Sequence, residues 1–117
     1  MEKEMYISLY DEENDRIILK LVGEIDHHSA TCLRHEVDEM LLKIRPRGLC
    51  IDLSSVDFMD SSGLGLIMGR FALMKKLGGE TEVINPSLRA KKILSLAGME
   101  KIIRIEKREA KANEGKE

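Results

Sequence analysis

The chain has 117 residues, of which 43% are hydrophobic and 34% charged, and its formal net charge is −2. That length predicts one domain, and the composition is too apolar for a disordered chain. No stretch approaches the roughly 20 apolar residues that a membrane-crossing helix needs. The near-neutral charge and the four aromatic residues, Tyr6, Tyr10, Phe58 and Phe71, argue against a nucleic-acid partner, which calls for a basic patch or stacking platforms. The charged N-terminus lacks the apolar core of a secretion signal, so a cytoplasmic protein is expected. Cys32 and Cys50 sit in apolar patterns without metal-ligand spacing and read as reduced, buried packing residues.

Met5 to Tyr10 alternates and predicts a strand. The polar run Asp11 to Asp15 predicts the turn of a hairpin whose second strand, Arg16 to Val22, ends at Gly23. Ser29 to Lys43 carries the helical period through Leu33, Val37, Met40, Leu41 and Ile44, with Asp26 or Ser29 available as N-cap. Leu49 to Leu53 predicts a strand and Ser54 to Asp60 a loop. Residues 61–77 predict a second helix that ends at Gly78-Gly79. Its Leu64, Ile67, Met68, Phe71 and Met74 form a stripe expected to face the core. Glu80 to Ile84 predicts a strand. Asn85-Pro86 is expected to start a third helix that closes at Gly98, and Lys101 to Glu106 is expected to be the last strand. The order β-β-α-β-α-β-α-β predicts an α/β domain with a mixed, mostly parallel sheet. Residues 107–117 carry no apolar stripe and predict a frayed helix or a charged tail.

The segment Asp57-Phe-Met-Asp-Ser-Ser-Gly-Leu-Gly65 falls where a strand gives way to a helix, the place where open α/β sheets carry their sites. Asp60 is a natural N-cap. Ser61 and Ser62 then occupy the first turn, whose free N–H groups and positive dipole end favour an added anion by about 0.3–1 kcal/mol. A phosphate on Ser61 or Ser62 suits such a turn. Gly63 and Gly65 cost roughly 1 kcal/mol each of helix propensity and leave the ground around the serines bare for another protein. Leu66, Gly69, Arg70 and Leu73 lie opposite the expected core stripe and form a candidate docking face.

Other chemistry is poorly served. Gly-x-Ser-x-Gly is absent, so Ser61 lacks the setting of a hydrolase nucleophile. Gly63-Leu-Gly65 is followed by Met68 where a dinucleotide fingerprint needs its third glycine, and no phosphate-binding lysine loop is present. A small nucleotide-binding or hydrolysing protein using Ser61 directly is the alternative of a different class. The residues call for no catalytic group, cofactor or metal.

Val22-Gly-Glu-Ile-Asp-His-His28, the run Asp52-Leu-Ser-Ser-Val-Asp-Phe-Met-Asp-Ser-Ser-Gly-Leu-Gly65, and Gly69-Arg70 together resemble the STAS domains of anti-sigma factor antagonists. The Asp26-His27-His28 triplet points to the sporulation type rather than a general stress regulator. The resemblance covers residues 4–106 and implies a single STAS-type domain, with 107–117 outside it. It also implies a partner switch. The unphosphorylated antagonist binds an anti-sigma factor that is itself a serine kinase, ATP- or ADP-bound, and so frees the sigma factor. The kinase phosphorylates the first serine after the Asp, here Ser61, and binding is lost. A PP2C-type phosphatase restores it. Asp60, Ser62, Gly63 and Gly65 then form the loop around the phosphorylated serine. Asp26, His27, His28, Leu66, Gly69, Arg70 and Leu73 become expected partner contacts.

Overall fold

A computed structural model describes residues 5–108. The first strand, β1 (Tyr6–Asp11), folds back on β2 (Arg16–Ile25) as an antiparallel hairpin. Helix α1 (His27–Ile44) follows, then β3 (Gly48–Met59), α2 (Ser61–Lys76), β4 (Glu80–Ile84), α3 (Leu88–Leu96), a single 3₁₀ turn at Met99–Lys101, and β5 (Arg104–Glu106). The strands lie in sequence order, β1-β2-β3-β4-β5, and every pair after the hairpin is parallel. Each parallel crossover steps the same way along the sheet, so right-handed connections bring all three helices to one face. The core agrees. Ile17, Leu19 and Leu21 of β2, Leu49, Ile51 and Leu53 of β3, and Val83 of β4 pack in one cluster. Leu33, Val37 and Leu41 of α1, Ile67 and Met74 of α2, and Ala90 and Leu94 of α3 complete it.

The expected α/β order is observed, although β2 runs past Gly23 to Ile25 and three further stretches differ. The stretch expected as a loop, Ser54 to Met59, is the second half of a 12-residue strand. Its register against β2 slips twice, between Lys20 and Val22 and between Gly23 and Glu24. Each slip leaves an extra residue in β3, and such bulges erase the two-residue alternation by which a strand is read. Second, α3 begins at Leu88 with Ser87 as N-cap, its hydroxyl accepting from Ala90 N–H at 3.2 Å. Asn85 instead turns left-handed at φ 48°, and its side-chain oxygen accepts from the Arg108 N–H at 2.6 Å. Third, β5 is only three residues long. The helix-or-tail expectation for 107–117 lies outside the described residues beyond Arg108. The Arg108 guanidinium itself is anchored, donating to Glu82 at 2.7 Å and to Glu106 at 3.3 Å.

Among the described residues the other face of the sheet carries no helix. Leu9, Ile18, Cys50 and Glu82 align across it in one row, and Ile7, Lys20, Asp52 and Ile84 in the next. Cys50 is buried here and Cys32 on α1 only half-buried, so the expectation of two buried thiols holds for one. Burial, with Glu82 adding to it, pushes the Cys50 thiol up to about 11. Native protein at pH 8 is expected to be alkylated at Cys32 well before Cys50, because burial and a scarcity of thiolate both protect the latter. Peptide mapping after brief iodoacetamide treatment checks this, and equal labelling of both would contradict it.

Candidate functional site

Strands β2 and β3 finish level, with Ile25 opposite Met59. Asp60 N–H donates to the Ile25 carbonyl at 3.2 Å, so the pairing runs to the last residue before each helix. Asp26 and Asp60 are therefore neighbours, each the N-cap of the helix that follows its strand. Two helix N-termini open side by side at the carboxyl edge of the sheet.

Both caps are locally satisfied. Asp26 Oδ1 accepts from Ser29 N–H at 2.9 Å, while Ser29 Oγ accepts from Asp26 N–H at 3.0 Å and donates to the Glu24 carbonyl at 3.0 Å. This reciprocal box uses both residues expected as alternative caps. The Ser29 N–H holds the Asp26 carboxyl below its usual value, against a smaller opposing effect of burial. Asp60 Oδ1 accepts from Ser62 N–H at 2.8 Å, and its carbonyl accepts from Gly63 N–H at 2.9 Å. Neither first turn contains an acidic residue, so the positive dipole ends are met only by the caps.

Ser61 is the first residue of α2 and is exposed, whereas Ser62 is half-buried. Among the described residues no side-chain hydrogen bond involves Ser61 Oγ, and none joins it to His27, His28 or His35. Ser61 is thus an exposed residue on a turn capped by Asp60. His27 and His28 are exposed in the first turn of α1, one strand over.

Helix α2 corrects the expected docking face. Its buried residues are Gly63, Leu66, Ile67, Arg70 and Met74. Leu66 and Arg70, expected outward, are 7% and 6% exposed. Arg70 reaches α1, where its Nε lies 2.8 Å from Asp38 Oδ1 and its Nη2 donates to Asp38 Oδ2 at 3.4 Å. The Nε–H is poorly aimed at its carboxylate, so that contact is an ion pair more than a directed bond. Nη1 donates to the Leu66 carbonyl at 3.3 Å. The helix has turned because α1 packs against it. Leu64, Met68 and Phe71, expected inside, occupy a half-buried flank, as do Gly69 and Leu73 on the other side. The solvent strip is Ser61, Gly65, Ala72, Lys75 and Lys76. Ala72 was not singled out by sequence, nor was Phe58, 41% exposed at the end of β3.

The glycines divide accordingly. A Cβ on Gly63 would strike Met59 Cγ and come within 2.7 Å of its sulfur, so Gly63 serves close helix–strand packing rather than an open surface. At Gly65 and Gly69 a Cβ meets nothing within 4 Å. Gly63→Ala is expected to destabilise the domain by about 1–3 kcal/mol. Gly65→Ala and Gly69→Ala are each expected to stabilise it, by up to about 1 kcal/mol. Urea unfolding of the three variants checks the contrast. Stabilisation by Gly63→Ala, or loss at the other two, would contradict it.

The STAS domain family model matches residues 7–112. The chain is 35% identical over 96 residues to a protein of Paenibacillus polymyxa named anti-sigma F factor antagonist, covering 82% of each chain. It is 38% identical over 101 residues to the anti-sigma-B factor antagonist of Bacillus subtilis, covering 85% of this chain and 88% of that one. Its fold is similar to the antagonist SpoIIAA in the unphosphorylated form, with TM-score 0.75, 22% identity and coverage of 93% and 91%. The Bacillus SpoIIAA in the phosphorylated form gives TM-score 0.68, 22% identity and coverage of 93% and 95%. The chain belongs to the STAS-domain family, and within it to the anti-sigma factor antagonists. These are regulatory proteins and not enzymes. Among the described residues no helix is long and apolar enough to cross a membrane.

Proposed function

We propose that this antagonist works as a phosphorylation-controlled partner switch with Ser61 as the modified residue. Unphosphorylated, it binds an anti-sigma factor that is also a serine kinase holding ATP or ADP, and the sigma factor is released. Transfer of the γ-phosphoryl group to Ser61 Oγ ends the complex, and a PP2C-type phosphatase resets it. The reading places all of this in the cytoplasm, without a nucleic-acid or membrane partner. The observation that carries it is the exposed Ser61 hydroxyl on the first turn of a helix already capped by Asp60.

The switch needs no refolding. A phosphate brings about −1.5 to −2 charge at neutral pH. The positive dipole end of α2 tolerates it within this chain. A partner closing over the turn meets that charge next to two cap carboxylates, Asp26 and Asp60, and must desolvate it. Losing a thousandfold in affinity takes about 4 kcal/mol. The contact surface under this reading is Ser61 and Gly65 with half-buried Asp26 and exposed His27 and His28, extended along Gly69 and Leu73. Leu66 and Arg70 are not part of it.

The Asp26-His27-His28 triplet favours a sporulation-type anti-sigma partner. The 38% identity to the anti-sigma-B antagonist favours a stress-type partner as a second reading. The test is incubation with each purified anti-sigma kinase and ATP, followed by intact mass and site mapping. One added phosphoryl group on Ser61 with one of the two kinases supports the reading and names the partner. No mass change with either overturns it.

A further inference from the structure

The two edges of the sheet are built differently. β5 is three residues long, Arg-Ile-Glu, with charges at both ends, and such an edge resists pairing. β1 is six residues, and its register against β2 is unbroken from Tyr6↔Leu21 to Asp11↔Arg16. Residues 6–10, Tyr-Ile-Ser-Leu-Tyr, contain no charge, no proline and no bulge. Residues 7–10 are exposed, with Ile7 at 50%, Leu9 at 62% and Tyr10 at 39%. Among the described residues, no charge, proline or bulge between residues 6 and 10 keeps this edge from adding another strand. Ile7 and Leu9 stand on the helix-free face and Ser8 on the other.

We propose that β1 pairs antiparallel with β1 of a second copy, joining two five-stranded sheets across a two-fold axis at Ser8. An uncharged strand fits itself. In this register Tyr6 faces Tyr10 of the second copy, Ile7 faces its Leu9, and Ser8 faces Ser8. No like charges are opposed between residues 6 and 10, and the apolar side chains become cross-strand pairs. Asp11 is held at the strand's end by Arg16, 3.4 Å away. The contact is isologous, so it closes at a dimer. Within each copy Ser61 lies at the carboxyl end of β3, two strands away from the β1 edge, and this proposal does not depend on the role given to it.

Sedimentation equilibrium of the full chain over a wide concentration range is the test. The parent protein is expected to show a monomer–dimer equilibrium. Ile7→Lys and Leu9→Lys place a charge on exposed edge positions outside the core, and each is expected to weaken dimerisation at least tenfold with an unchanged thermal midpoint. Lys20→Asp, on β2 of the same open face, is expected to leave it unchanged. Ser8→Cys in a Cys32→Ser background is expected to form an intermolecular disulfide through its new thiol. A monomer at every concentration overturns the proposal and leaves a foreign strand as the occupant of the edge. Monomerisation by Lys20→Asp, with Ile7→Lys and Leu9→Lys still dimeric, overturns it in favour of face-to-face stacking.

Discussion

Ser61→Asp is expected to lose the anti-sigma factor while folding as the parent does. The residue is exposed on the first turn of α2, where no acidic side chain is present. An added carboxylate there suits the dipole, so stability should change by less than about 1 kcal/mol. In the complex the same charge must be buried beside Asp60. A loss of roughly tenfold to a thousandfold in affinity, about 1.4 to 4 kcal/mol, is expected, a single charge falling toward the lower end. Ser61→Ala should keep binding within a few fold and accept no phosphate. Ser62→Ala, whose backbone N–H still serves Asp60, should still be phosphorylated. Calorimetric titration, thermal melting and phosphate mapping on the three variants separate charge from unfolding. If Ser61→Asp binds like the parent, the electrostatic account fails. If Ser61→Ala is modified at the normal rate, the residue is wrong.

What was legible in the sequence follows from how strongly each signal is tied to backbone geometry. β4 was read with its observed ends because it is short, regular and bounded by Gly79 and Asn85. The Asp60 cap and the place of Ser61 in the first turn were readable because caps depend on residue type at one position, not on a pattern. The far half of β3 was not, because two bulges destroy its alternation. The adjacency of Asp26 and Asp60 is a matter of strand pairing, which a linear pattern does not contain. The level ends of β2 and β3 supply it directly. The face of α2 failed for a different reason. Leu64, Leu66, Ile67, Met68, Phe71, Leu73 and Met74 spread over more than half of the helix circumference, an arc too wide for periodicity to fix which part of it is buried. The choice is made by α1, whose Asp38 draws in the one arginine of α2.

That pair carries the second large effect. Arg70→Ala is expected to destabilise the domain by about 2–3 kcal/mol, somewhat below the 3–5 kcal/mol typical of breaking a fully buried pair. The discount reflects Asp38, whose side chain is 32% exposed against 7% for Arg70, so water can take over part of the arginine's role. Burial pulls the Arg70 pKa below its ordinary value and the nearby Asp38 carboxylate pulls it back. The variant loses that compensation, the hydrogen bond to the Leu66 carbonyl, and the packing of a long side chain between two helices. For a domain of this size the thermal midpoint should fall by roughly 8–15 °C. A double-mutant cycle with Asp38→Asn should show coupling of about 1–2 kcal/mol, because the two residues share one contact. Measured on folded protein at low temperature, anti-sigma binding by Arg70→Ala should stay within a few fold of the parent. An unchanged midpoint with lost binding would instead return Arg70 to the partner surface, and the α1–α2 pairing seen here would then be wrong.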